Sequence, residues 1–276
     1  ALLDRLTNEG TPLGDYLEKR DTDLYRGVLT GLNKAFVIKE ATRRELIEDD
    51  PASAELIKPF LKGRDVNRYE PPVPRYHVIF ARRGVDIDDY PAIKEHLLQY
   101  KERLKPKPRD WPSGKKWPGR KPGPYKWYEI QDTVAYYEEF EKPKIIFPDM
   151  GTEGSFTYDT EGQYSANTTY MIPGVGEYLL ALLNSTLLAF YYTNAFSVYR
   201  GGYLRFFTQY LERLPIPSLT DAEQKQLAAW ADEQLALHKE RADASTDPAT
   251  AAVQAQIDTL DAEIDAFVYD LYGLNE

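Results

Sequence analysis

The sequence predicts an α+β protein, with a mixed or antiparallel sheet domain over residues 1–218 and a C-terminal antiparallel helical hairpin over 219–276. Three observations carry this prediction. Short β-rich runs bounded by Pro or Gly, such as Lys144-Ile-Ile-Phe between Pro143 and Pro148, have the length and flanks of buried strands. The near-continuous apolar stretch 177–196 has the length of a core helix. Beyond Ser218 the composition shifts: thirteen Asp and Glu stand against Lys225, Lys239 and Arg241, and apolar residues recur at helical spacing.

In chain order, residues 1–24 are polar and punctuated by Gly10, Pro12 and Gly14, with a short helix expected at 12–19. The stretch Tyr25-Arg-Gly-Val-Leu-Thr-Gly-Leu-Asn-Lys-Ala-Phe-Val-Ile predicts strand, Gly turn, strand, the second strand at 35–38. Thr42 with Glu45 three residues on has the form of a capping box and predicts a helix over 42–49. A short helix is expected within 55–69, followed by a turn at Lys62-Gly-Arg-Asp. Residues 76–81 read as a strand, and 90–104 as a helix opened by Pro91 at its first position. Residues 155–159 and 164–172 read as a strand pair separated by a Gly turn. Thr220-Asp-Ala-Glu223 is a second capping box, opening a helix to about 241, and Asp247-Pro248 opens another. Val253, Ile257, Leu260, Ile264, Phe267 and Leu271 recur at 4-3-4-3-4 spacing, which makes a narrow apolar seam.

The chain as a whole carries −10, yet residues 94–128 hold eleven Lys and Arg against Glu95, Glu102 and Asp110, about +8. Prolines at 106, 108, 112, 118, 122 and 124 exclude a buried helix or central strand there. The segment reads as a long exposed loop in which cations alternate with Trp111, Trp117 and Trp127. A solvated linker has similar lysine and proline content, but indoles are costly to leave in water. An anionic partner, nucleic acid above all, fits better. Lys115, Lys116, Lys121 and Lys126 suit phosphate contacts, which position without specifying, and Trp117 lies among them. Arg82, Arg83, Arg120, Arg200 and Arg205 have the bidentate reach to a guanine edge. Tyr191, Tyr192 and Tyr199 read as core tyrosines before stacking platforms.

Other chemistry finds little support. There is no cysteine, which removes disulfides and thiolate zinc and suits a cytoplasmic setting. No apolar run approaches the roughly 20 residues of a membrane span. His77, His96 and His238 lack metal-ligand spacing. Glu70-Pro-Pro-Val lacks the aromatic of an amino-methyltransferase tetrad. Gly174-Val-Gly176 has no third glycine and no clear preceding strand. Pro148-Asp149 finds its next acid-x-Lys only at Glu223-Gln-Lys225. Paired acids at Glu138–Glu139 or Asp149 with Glu153 leave a self-sufficient hydrolase as an alternative. A protein-interaction module working through the hairpin is another. The chain opens on Ala1 and holds two Met, and is read as a piece excised from a longer polypeptide.

The Tyr25–Ile38 stretch and Ile57-Lys-Pro-Phe-Leu-Lys-Gly-Arg-Asp-Val-Asn-Arg-Tyr69 resemble the TaqI-like C-terminal specificity domain. Trp127-Tyr-Glu-Ile, Lys142-Pro-Lys-Ile-Ile-Phe-Pro148, Leu179-Leu-Ala-Leu-Leu-Asn-Ser-Thr, Leu214-Pro-Ile-Pro217 and the ending 263–273 continue the resemblance in order. Single pieces are weak; six in sequence, with the ending as a seventh, are specific. The resemblance implies a target-recognition module of adenine-N6 DNA methyltransferases, including single-chain (type IIG) restriction-modification and phage-defence enzymes, some of which also cleave DNA. It implies double-stranded DNA and an N-terminal methyltransferase domain of the same polypeptide as partners, with no membrane. S-adenosylmethionine and transfer to a flipped-out adenine then belong to that other domain, so this chain alone is expected to hold no cofactor and no catalytic residue. Residues 101–125 do not align to the family pattern.

Overall fold

The computed structural model describes residues 2–198 and 201–274. The chain opens with helix α1 (Leu2–Glu9), strand β1 (Thr11–Pro12) and helix α2 (Leu13–Glu18). Strand β2 (Tyr25–Arg26) leads to a helical turn α3 (Asn33–Phe36) and strand β3 (Val37–Ile38). The second strand thus starts two residues later than expected. Thr30 Oγ accepts from the Leu32 N–H and donates to Asn33, and such local bonds wind the backbone into a turn.

Helix α4 (Glu40–Asp49) begins ahead of Thr42, which therefore does not cap it; Glu40 pairs with Arg43 and Arg44 across the first turn. Strand β4 (Ile57–Leu61) stands where a short helix was expected. Pro59 cannot continue a helix from residue 55, and it is tolerated in the strand because the far edge is paired only at Phe60 and Leu61. Strand β5 (Tyr76–Ile79) follows, then helices α5 (Pro91–Leu98) and α6 (Lys101–Leu104), where one helix was expected.

Strands β6 (Lys144–Pro148), β7 (Met150–Gly151), β8 (Thr157–Asp159), β9 (Tyr164–Ser165) and β10 (Thr169–Pro173) come next. The apolar stretch forms two helices, α7 (Glu177–Leu183) and α8 (Thr186–Ala195). The break at Asn184-Ser185 has two causes. Ser185 Oγ accepts from the Leu188 N–H as an N-cap, and Asn184 clasps the Phe156 backbone, accepting from its N–H and donating to its carbonyl. Strand β11 (Leu204–Arg205), helix α9 (Thr208–Leu211) and strand β12 (Pro215–Ile216) precede the long helices α10 (Asp221–Asp243) and α11 (Asp247–Leu271). The capping box at Thr220 and Glu223 is formed as its spacing predicts.

One sheet runs β2-β10-β6-β8, antiparallel throughout; the other runs β3-β5-β4-β9, with β4 and β9 parallel. The architecture is α+β, as expected, but the strand pair at 155–159 and 164–172 is not a hairpin. β8 pairs with β6, β9 crosses to β4, and β10 returns to β6. The links around β9 therefore tie the two sheets together. β12 lies against β1, so Leu-Pro-Ile-Pro closes onto the start of the chain.

Two large apolar cores result. One gathers Leu6, Ile145, Phe147, Leu179 to Leu183 and the inward faces of α10 and α11. The other gathers Phe36, Phe60, Val78, Ile93, Ile130, Phe140 and Tyr164. Val253, Ile257, Leu260 and Ile264 are buried as the seam predicts. At the next position Val268 is buried instead of Phe267, because a straight helix drifts off a seven-residue repeat; Phe267 meets Trp230 edge to face, 5.3 Å between centroids. The hairpin expected over 219–276 therefore shares its core with α7 and α8. Among the described residues no helix is long and apolar enough to cross a membrane.

Candidate nucleic-acid interface

The basic loop is closed at its base. The Arg120 N–H donates to the Lys105 carbonyl (3.0 Å) and the Lys107 N–H to the Arg120 carbonyl (3.1 Å). Trp117 Nε1 donates to the same Lys105 carbonyl, and Trp111 Nε1 to the Lys115 carbonyl. The two indoles meet edge to face, 4.7 Å apart. They pack on each other and on the loop's own backbone, so neither ring is an open platform. Gly119 is required here: a Cβ would come within 2.3 Å of the Lys105 carbonyl oxygen.

Arg120 departs most from its expected role. It is only 4% exposed. Its guanidinium donates to the carbonyls of Leu104 (2.7 Å), Thr30 (3.0 Å), Glu129 (2.7 Å), Lys126 (3.3 Å) and Trp127 (2.9 Å). With its donors committed and its body against Tyr125 and Phe36, it has nothing left to offer a guanine edge. Burial pulls its pKa down to about 10, so the group stays charged at neutral pH. Its neighbour Gly31 lies at φ +78°, and a Cβ there would meet Arg120 Cδ at 2.7 Å. Arg120 thus pins the base of the basic loop to the Thr30–Gly31 turn and to 126–129.

Arg83 is similarly engaged, donating to the carbonyls of Ile130 and Gln131 and lying 3.6 Å from the buried Glu129 carboxylate. Arg82 turns the other way, over the Tyr137 ring at 4.2 Å and bonded to its hydroxyl. Lys115, Lys116, Lys121 and Lys126 are all exposed. Lys126 reaches the Tyr128 ring, and its hydrogen bond to the Tyr128 hydroxyl raises its pKa. The structure therefore carries Lys115 and Lys116 on the closed loop and Lys121 and Lys126 on the segment that follows its closure, with Arg205 on β11 over Phe207. Arg200 and Tyr199 lie outside the described residues. Tyr191 and Tyr192 are core residues. Sequence reading gave no role to Glu129 and Tyr125, the buried groups around which the two arginines close, although Glu129 sits in the Trp127-Tyr-Glu-Ile piece of the resemblance.

The hairpin is held to the first sheet's side of the molecule by charge as well as packing. Arg68 donates to both Asp261 oxygens (2.9 and 2.8 Å) and to the Asn184 carbonyl. Arg241 meets Glu70 at 3.1 Å. His238 lies tilted against Tyr69, 5.7 Å between ring centroids, and its burial beside Arg241 and Arg68 pulls its pKa down to about 4.

The family model of the TaqI-like C-terminal specificity domain matches residues 58–216. The chain belongs to that family. Relatives include the type II methyltransferase M.BstVI of Geobacillus stearothermophilus, 26% identical over 211 residues, covering 73% of this chain and 34% of that protein. Another is M.PaeR7I of Pseudomonas aeruginosa, 26% identical over 219 residues, with 74% of this chain and 34% of that protein covered. The specificity domain thus spans about a third of the length of these curated relatives. Its fold is shared with the type IIL restriction-modification enzyme MmeI, solved in complex with DNA: TM-score 0.63 at 15% identity, over 92% of this chain and 33% of that one.

Within the specificity domain the motif pieces fall on scaffold. Lys142 to Pro148 leads into β6, and Lys144 is fully buried in an ion pair with Asp159. Gly174-Val-Gly176 does follow a strand, β10, contrary to the sequence reading. That strand is antiparallel to both neighbours and the helix opens with Glu177, the wrong charge for a phosphate. Glu139 pairs with Lys142. Among the described residues no three His, Cys, Asp or Glu gather as a metal site.

Proposed function

We propose that this chain is the duplex-DNA target-recognition module of a restriction-modification or phage-defence methyltransferase of the adenine-N6 type, acting in the cytoplasm. The observation that carries the reading is membership of a specificity-domain family whose type II methyltransferase relatives are covered over only about a third of their length. The DNA complex of MmeI supports it as an analogue of the same fold. Methyl transfer then belongs to an N-terminal domain of the same polypeptide, where S-adenosylmethionine supplies the methyl group. In single-chain members of this type the whole protein also cleaves DNA.

On this reading Lys115, Lys116, Lys121 and Lys126 lie along phosphates, with Arg82 and Arg205 as further contacts, while Arg83, Arg120 and Trp117 hold the loop in shape. The acidic outer faces of α10 and α11 point away from DNA, since like charge is repelled there. The test is binding to a mixed-sequence duplex at graded salt, read by fluorescence anisotropy. Affinity should fall log-linearly with salt, and Lys115→Ala with Lys116→Ala should reduce the slope by about 1 to 2. Binding indifferent to salt, or a slope unmoved by the double substitution, would overturn the reading.

A further inference from the structure

A second surface lies away from the basic loop. A groove of about 570 Å³ runs between the turn at 62–67 and the stretch 148–155. It opens where the two sheets end side by side, just past Leu61 of β4 and Pro148 of β6. Thr168 ties its banks together: its hydroxyl accepts from the Gly63 N–H (3.3 Å) and its carbonyl from the Asp149 N–H (2.8 Å). Only glycine fits at 63, where a Cβ would stand 2.9 Å from the Thr168 carbonyl oxygen.

The lining mixes polar and apolar side chains and is balanced in charge. Lys62 and Arg64 lie on one bank, Lys62 over the Tyr76 ring at 3.4 Å and Arg64 on its hydroxyl at 3.3 Å, and Asp149 and Glu153 lie on the other, with Asn67 and Thr168 also in the lining. A surface that only tracks phosphates would not carry those carboxylates. Base edges alternate donors and acceptors, and they match such a mixture: arginine to guanine, asparagine to adenine, a carboxylate to the cytosine amino group. Tyr203, 44% exposed, lines the same groove, and Val198, 63% exposed, is bridged to the next residue, Leu204. Gly201 and Gly202, at φ +82° and +81°, lead into Tyr203. Apolar side chains held out in water beside such a groove suit a thymine methyl or an opened base step.

The turn at 62–67 is also braced from behind. Asn67 lines the groove and donates to Glu70 (2.7 Å), and Arg68 and Glu70 are in turn clamped by Asp261 and Arg241 of the hairpin. A contact residue on so fixed a backbone is already placed for binding.

We infer that this groove reads base edges through the major groove, with Arg64, Asn67 and Tyr203 as contact residues, while the basic loop holds phosphates. The inference rests on the duplex-DNA reading above. It is tested by selecting duplexes from a randomised pool with this chain and with Arg64→Ala, Asn67→Ala and Tyr203→Ala, each checked by thermal melting. The wild type should enrich a motif. Each variant should keep the wild-type melting temperature and salt slope, yet lose roughly 5- to 100-fold of motif-over-random preference at one or more positions. Variants that enrich the same motif with undiminished preference overturn the inference and leave DNA binding standing. A wild-type chain that binds no duplex, or enriches no motif, instead brings down the duplex-DNA reading, and the inference with it.

Discussion

Replacing Arg120 by Ala separates a structural arginine from a base-reading one. The substitution removes a guanidinium that bonds five carbonyls spread over three segments, 30, 104 and 126–129. A hydrogen bond to a charged group contributes about 1.5–3 kcal/mol net, but five on one group do not add. Leaving buried carbonyls without their donor costs on the order of 3–5 kcal/mol, as for a broken buried ion network. For a chain of this size each kcal/mol moves the midpoint by about 2–4 °C, so the melting temperature should drop by roughly 6–20 °C. Arg120→Lys should recover little, because an ammonium cannot span a planar five-donor array. Circular dichroism melts read the effect directly, and trypsin should then cut within 105–121 in the variant at a dose that spares the wild type. A melting temperature within about 2 °C of wild type would refute the assigned role. So would an altered DNA preference without loss of stability.

Three further outcomes follow from buried groups elsewhere. Lys144→Met strands the Asp159 carboxylate inside the core and should cost about 3–5 kcal/mol in urea unfolding, part of it regained when Asp159→Asn is added; equal stability of the two variants would contradict this. His238 is neutral in the folded chain because its pKa is depressed to about 4 from 6.5. The unfolded chain takes up that proton first, so the contribution is complete above pH 6.5 and is lost as pH falls toward 4. It amounts to about 1–3 kcal/mol. His238→Gln should flatten that limb of the stability-versus-pH curve, and an unchanged limb would count against it. Asp261→Ala leaves Arg68 unpaired against the hairpin and should cost about 1–3 kcal/mol. It should also loosen the turn at 62–67, visible as faster amide exchange there.

The sequence made some of this legible because the signals were local. Thr220 with Glu223 announced α10, the Val253 to Ile264 spacing announced the buried face of α11, and Lys144-Ile-Ile-Phe announced β6. What escaped was decided by distant partners. Nothing near Asn184 says that its side chain will clasp Phe156 and split the apolar helix. Pro59 sits in a strand only because β9 pairs beyond it. The run of cations in the basic loop looks uniform on the page, yet Arg120 faces inward and the lysines outward, since only a planar guanidinium can satisfy five converging carbonyls. Trp111 and Trp117 read as indoles too costly to leave in water without a partner, and they instead cover each other. The groove beside Thr168 joins residues about a hundred positions apart, which no spacing rule brings together.

Amide hydrogen exchange with and without a sequence-selected duplex tests the central claim most directly. Protection should appear at 107–126, 62–67 and 148–155, while the outer faces of α10 and α11 exchange as in the free chain. Protection confined to the two long helices, with the lysine loop and the groove unchanged, would contradict the account.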